Sequence, residues 1–431
     1  MNDSNNNYYN NDNNYSNSNS NSNNNLGYSG YNNTNYYEKS NNGGGIGKIL
    51  IILAVICAIA IIAYFIISKL PGETKTEESI STLTLYVDDI NVEGLDENER
   101  YKLNTYTCTN DSKLSYDMNT KKISIDADKQ TSCEVYFDKI EISELCANKY
   151  LASCLMENYE LLGLTKINHS ATGNQDYSTV EYRFQGNDVN NYIKFNDSSS
   201  WRIIGVFEVE TPTSSGTYNK EYKVKIVGDT ITLNKFSADS HNNSWISSEI
   251  KTKLNEGSYY NPEKAGYCGF GSCIYASARQ YISTTKWYLG KTNNEINAQE
   301  TYESERSNIA WENSAATWDG NVGLIYPSDY MFASSGCYND ATKYGSSTRS
   351  SDSYSNSVCR DSNWLFNGHV YWTISPYSKY RSSVISIFGG GKIDDIDASD
   401  WTVSVYPTLY LSPSVLYSDG FGTSSDPYII K

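Results

Sequence analysis

Histidine is scarce in this chain. Only three occur in 431 residues, His169, His241 and His369, and no two stand at the spacing zinc ligands need. There is no H-E-x-x-H, no paired C-x-x-C, no G-x-S-x-G, no P-loop and no dinucleotide-binding fingerprint. No nucleophile stands beside a plausible base either, so the sequence reads as a protein that is not an enzyme. A lone histidine in such a setting is expected to be a surface or hydrogen-bonding residue.

Basic residues are also few. Against 50 Asp and Glu there are 34 Lys and Arg, leaving a formal net charge of -16. Nucleic-acid binding needs clustered Lys and Arg, so no nucleic-acid partner is expected. The same deficit argues against adhesion to anionic lipid headgroups.

The first 42 residues contain one Leu, Leu26, and no Val, Ile or Phe. Such a segment cannot bury enough apolar surface to offset the entropy of ordering. Residues 1–45 are therefore read as a disordered Asn/Tyr/Ser-rich tail.

The next segment is the reverse. Ile49 to Ile67 reads ILIILAVICAIAIIAYFII, an uncharged run of 19 residues. At 1.5 Å per helical residue it matches the hydrocarbon thickness of a bilayer. Residues 46–69 are read as a single transmembrane helix, an uncleaved signal anchor flanked by Lys48 and Lys69. Lysine asymmetry does not orient it: Lys39 and Lys48 on one side face Lys69 and Lys75 on the other. The eight cysteines beyond it do, because disulfides belong to oxidising exteriors. The tail is placed in the cytoplasm and the C-terminal region outside the cell membrane.

Residues 70–79 are polar and charged and read as a linker. Over residues 80–140 apolar residues alternate with polar ones at Leu83, Leu85 and Val87, at Ile123, Ile125 and Ala127, and at Cys133, Val135 and Phe137. Period two means half-buried strands, and this stretch is read as a small β-sandwich module. A disulfide between Cys108 and Cys133 is expected to staple it. From Ser143, a plausible N-cap, SELCANKYLASCLMENYELL has helical spacing. On one helix Cys146 and Cys154 stand about 12 Å apart, too far for a mutual bond, so their partners stay open.

Further on, NYIKF and WRIIGVFEVE read as strands, and KVKIVGDTITL as a hairpin with Val224 and Ile226 facing Ile231 and Leu233 across Gly228-Asp229. Trp245 to Leu254 reads as a short amphipathic helix. All eight Trp fall between Trp201 and Trp401.

Several segments occur in a telling order: SSSWRIIGVF, WISSEIKTKLNEGSYYNP, TTKWYLG, VGLIYPSDYMFASSG, NWLFNGHVYWTISP, and VYPTLYLSPSV with GFGTSSDPYII after it. Together they resemble a bacterial surface domain of unknown function related to the C-type-lectin-like fold of the formylglycine-generating-enzyme type. The small β module resembles β-sandwich modules that precede this domain in anchored proteins of Gram-positive bacteria. The resemblance implies an α+β class: a C-type-lectin-like domain over residues 141–431, with short twisted sheets, one or two helices and long ordered loops. Many relatives carry Arg just before the Pro-x-Leu-Tyr-Leu strand. Tyr406 stands there in this chain, so no role of that Arg carries over. The enzymes of this fold use a redox-active cysteine pair near its C-terminal end, whereas here Asp361 to Lys431 has no cysteine.

Cys337 and Cys359 bracket a Ser/Tyr-rich loop and are expected to pair, and Cys268 and Cys273 to close a Gly-rich turn. Asp394, Asp395, Asp397 and Asp400 in GGGKIDDIDASD offer hard oxygen ligands that would suit calcium, though without EF-hand spacing; an acidic solvated hairpin is the simpler reading. No other cofactor is expected. Trp318, Trp364, Trp372 and Trp401 are read first as core and second as a sugar-stacking surface. The Gly389–Trp401 hairpin and the Asp319–Ser335 segment are the expected exposed face. The function expected is a membrane-anchored extracellular binding or adhesion protein of a bacterial cell surface, whose partner is a glycan, protein or peptide. An oxidoreductase-like enzyme on the same fold, or a structural cell-envelope protein, stays open beside it, because fold alone does not decide function.

Overall fold

The computed structural model describes residues 82–96, 99–118, 121–127, 129–170, 178–228, 233–268, 272–294, 297–335 and 360–431. The tail, the run bounded by Ile49 and Ile67, the linker, and both Cys337 and Cys359 lie outside the described residues. Among the described residues no helix is long and apolar enough to cross a membrane. The region is mixed α+β with strands in the majority, and it has two hydrophobic cores.

The first core is built by six strands: β1 (Thr82–Val87), β2 (Ile90–Val92), β3 (Tyr101–Cys108), β4 (Lys113–Asp117), β5 (Lys122–Asp126) and β6 (Ser132–Lys139). Four form a sheet in the order β2-β1-β6-β3, and β4 pairs with β5. β1 and β6 run parallel, which sets Leu85 beside Val135 and Val87 beside Phe137. Val135 and Phe137 are fully buried, each contributing about 1.5–3 kcal/mol. Leu83, two residues before Leu85, is nonetheless exposed. Cys108 and Cys133 face each other across β3 and β6 and are disulfide-bonded, with Cα atoms 4.1 Å apart.

The strands of the second core begin with β7 (Leu164–His169), β8 (Thr179–Phe184), β9 (Tyr192–Phe195), β10 (Ser198–Pro212) and β11 (Tyr218–Val227). Next come β12 (Thr285–Tyr288), β13 (Thr317–Gly320), β14 (Val322–Gly323), β15 (Tyr371–Pro376), β16 (Ser383–Ile387) and β17 (Ile393–Asp397). The last are β18 (Thr408–Tyr410), β19 (Tyr417–Asp419) and β20 (Ile429–Ile430). A seven-stranded sheet organises this core, in the order β14-β18-β11-β10-β8-β7 with β9 beside β10. Smaller sheets stand apart: β12 with β13, β15-β16-β17, and β19 with β20. β10 and β11 pair from Arg202↔Val227 to Pro212↔Tyr218, with an irregularity between Ile203 and Gly205. The extra residue keeps both Ile203 and Ile204 inside. Gly205 is required there: a Cβ would stand 2.3 Å from the Tyr182 carbonyl oxygen.

Three expectations are corrected. The helix from Ser143 is two short helices, Ile142–Leu145 and Leu151–Glu157, and Glu141 rather than Ser143 is the N-cap residue of the first. Between them Asn148 has a φ of 59°, a left-handed conformation that ends a helix and that Asn tolerates. The break folds the chain back, so Cys146 and Cys154 bond each other at a Cα separation of 5.2 Å. The expected pairing of Val224 and Ile226 with their sequence neighbours is replaced. Both edges of β11 are taken, by β10 and by β18, with Ile226 opposite Ile203 and Leu409. Leu409 is fully buried while Leu233 is 55% exposed and in no strand, and Ile231 lies outside the described residues. The long-range partner buries more apolar surface than the local turn would. Finally, Asp319–Ser335 is not an exposed face. Residues from Val322 to Ser334 are buried, including the whole helix Pro327–Phe332.

The Trp245–Leu254 segment is a single turn, Trp245–Ser247, and then the helix Glu249–Asn255. Ser248 separates them, its Oγ accepting from the Lys251 N–H at 3.0 Å, as an N-cap does.

Candidate binding site

β10 alternates as strands must, sending Trp201 and Ile203 into the core and Arg202 to the other face. Arg202 therefore emerges between two aromatic rings. Its guanidinium lies 4.4 Å from the centre of Tyr192 and 4.6 Å from that of Trp364. Its Nε donates to Asn191 Oδ1 at 2.6 Å and one Nη to the Val189 carbonyl at 3.3 Å. Both acceptors are neutral. The other Nη has no partner among the described residues, and Arg202 is in no ion pair there. Burial lowers its pKa, against weaker opposing effects of Tyr192 and Asp188.

Arg202 forms part of the wall of two cavities. The smaller, of about 160 Å³, is lined by Trp364, Leu365, Tyr371, Tyr406, Ile325, Asn367, Ser200, Val227 and Gly228. The larger, of about 750 Å³, is mostly polar and lies between the 187–192 loop, Thr423–Ser425, and the first core's Leu85, Leu95, Lys121 and Ile123.

The aromatic wall is held rigidly. Trp364 Nε1 donates to the Phe184 carbonyl at 2.9 Å, and its backbone N–H to Gly186 at 2.8 Å. The Tyr371 hydroxyl donates to the Leu365 carbonyl at 3.0 Å. Tyr406 packs edge-on against Tyr371 with centroids 4.9 Å apart, and its hydroxyl accepts from Asn367 Nδ2 at 2.7 Å. Gly228 is needed beside them, because any Cβ would sit 2.8 Å from the Trp201 ring.

A second cluster lies wholly inside. Arg183 reaches Glu181 from its Nε at 2.8 Å and Asp329 from Nη1 at 3.0 Å; Lys225 reaches Asp329 at 2.5 Å. Arg306 stands 3.6 Å from Glu181 and 3.3 Å from Glu305. Glu305 also accepts from the Ser328 hydroxyl at 2.5 Å and its N–H at 2.9 Å. His169 is stacked on Tyr302 at 3.7 Å, its ring nitrogens 3.1 Å from Glu181 and 2.8 Å from Gln299. Burial would raise the Asp329 and Glu181 carboxyls, but the adjoining Lys225, Arg183 and Arg306 charges hold both below their ordinary values. Burial pushes Glu305 up to about 7 against the pull of Arg306 and Ser328. It lowers Lys225 to about 8 against that of Asp329. Three cations and three carboxylates sit in contact with one another, so this cluster ties β7, β8, β11 and two helices together without asking for a ligand.

The residues singled out from the sequence are dispersed. Asp394 and Asp395 are neighbours on β17, and the Asp394 carboxylate accepts from the Asp395 N–H at 3.0 Å. Asp394 is met by Asn294 and Lys392. Asp397 accepts from the Ser399 N–H and hydroxyl, and Asp400 from those of Thr402, each capping its own turn. Among the described residues no group of three or more His, Cys, Asp or Glu is placed to hold a metal ion. Cys268 and Cys273 are bonded to each other. Trp372 and Trp364 are buried and Trp318 is partly so, while Trp401 is 60% exposed with Lys235 over its ring. His169 is buried and bonded; His241 and His369 are exposed.

Sequence reasoning missed Arg202, Arg183 and Lys225. The available signal was charge within apolar strand runs, one in WRIIGVF, two in VEYRF and two in KVKIV. No family model, no curated protein and no solved structure matches the chain.

Proposed function

We propose that this is a single-pass, membrane-anchored protein of a bacterial cell surface, and that its extracellular region, of the C-type-lectin-like kind, binds a partner at the Arg202 pocket. The observation that carries the binding reading is the guanidinium of Arg202, in no ion pair among the described residues, fixed by Asn191 and Val189 and set against Tyr192 and Trp364. A partly buried charge whose hydrogen bonds go to neutral acceptors is costly, and a fold keeps one most readily where a ligand completes it. Rigid aromatic walls with a few polar groups are the usual lining of a binding pocket. Ile49 to Ile67 supports the anchor, and the three disulfides support an oxidising exterior.

The test is a glycan, protein and peptide array probed with the full-length protein in detergent, alongside Arg202→Gln. Partners that bind the native protein and are lost with the variant support the reading. Partners that bind both equally place the function elsewhere.

A further inference from the structure

A second guanidinium, apart from the Arg202 pocket, lies at the seam between the two cores. Arg100 stands just before β3 and is only 5% exposed. Its backbone closes the first module, where its carbonyl accepts from the Ile140 N–H at 2.9 Å. Its side chain crosses to the other core, Nη1 donating to the Leu161 carbonyl at 3.2 Å. That acceptor is neutral, and Arg100 is in no ion pair among the described residues. Its acidic neighbour Glu99 is engaged by Lys139 at 3.1 Å. The Arg100 Nε is buried without a hydrogen-bond partner among the described residues.

Two phenols share that condition. Tyr116 of β4 and Tyr428, just before β20, each have a buried hydroxyl with no partner among the described residues. Tyr116 packs on the first core and Tyr428 is part of the second. Burial raises both phenols, Tyr116 to about 12, and in each the Arg100 charge pulls the other way. Arg100 is thus close enough to act on both hydroxyls, one from each core.

We propose that Arg100, Tyr116 and Tyr428 bind a small halide ion, chloride being the common one, that joins the two cores. The guanidinium N–H can only donate, and each phenol has a proton to give. Leaving such groups buried and unpaired is costly, and most costly for the charge. A water molecule would satisfy the hydroxyls but would not neutralise the guanidinium. A carboxylate or phosphate carries several oxygens, each wanting its own donors. A halide takes several donors around one centre and supplies the missing negative charge.

The test is thermal unfolding of the full-length protein in detergent, with sodium gluconate replaced stepwise by sodium chloride or bromide at constant ionic strength. Above the dissociation constant, a rise in halide of about tenfold is expected to raise Tm by about 2–4 °C. Arg100→Met should remove most of that dependence, and Tyr116→Phe combined with Tyr428→Phe should weaken it. A Tm indifferent to halide, or a dependence that survives Arg100→Met, would overturn the proposal. If Arg100→Met does not fold, the double tyrosine variant decides. A weakened halide dependence there supports the site, and an unchanged one removes it.

Discussion

Lys225 of β11 and Asp329 of the helix Pro327–Phe332 meet at 2.5 Å with both side chains buried. Asp329 also accepts from Arg183, and from the Tyr326 N–H at 2.9 Å. One carboxylate thus neutralises two buried cations. Asp329→Asn is expected to cost about 3–5 kcal/mol, because it strands buried positive charge. Lys225→Met added to it should recover part of that loss, since the second change removes the stranded ammonium. Urea unfolding of the four species of the cycle measures the coupling. Additive losses would show the pair to be energetically independent.

Glu305 makes stability fall as pH rises. Its folded-state pKa is raised from 4.5 to about 7 by burial, so the folded state holds the proton more tightly than the unfolded chain does. Below pH 4.5 both states are protonated and no penalty applies. Between 4.5 and about 7 the unfolded state ionises first and gains, and above that window the loss is complete, at about 3 kcal/mol. Glu181 and Asp329, whose pKa values are depressed, act in the opposite sense at lower pH. Comparison with Glu305→Gln isolates the effect. The stability of the native protein relative to the variant should decline through this window, and a flat difference would refute it.

Cys146 and Cys154 should be recovered joined in a non-reducing peptide map, and Cys108 joined to Cys133. Replacing Cys146 and Cys154 together with Ala should lower stability by about 2–3 kcal/mol, the loop-closure entropy of so short a ring. Alkylation of either thiol before reduction would contradict the pairing.

Protease added to intact cells should remove the region beyond Leu70 and spare the tail before Ile49. Digestion of the tail instead would reverse the proposed orientation.

The sequence by itself located β6, β9 and β10, the Cys108–Cys133 bond and, except at the exposed Leu83, the alternating face of the first core, because period-two burial and neighbouring strands are local properties. The uncharged Ile49–Ile67 run is equally local, since hydropathy needs no partner to be read. Tertiary structure decided the rest. Asn148 breaks what periodicity would continue, and only that break brings Cys146 to Cys154. β11 pairs with β18, far along the chain, instead of with its sequence neighbour, because Leu409 offers a drier contact than Leu233. The Arg202 pocket draws on β9, β10, the end of β11, the 364–371 segment and Tyr406. A charge in an apolar strand says only that something must meet it. Arg183 and Lys225 meet Asp329, whereas Arg202 meets two neutral oxygens and two rings among the described residues. The difference is set by which distant segments pack beside each one.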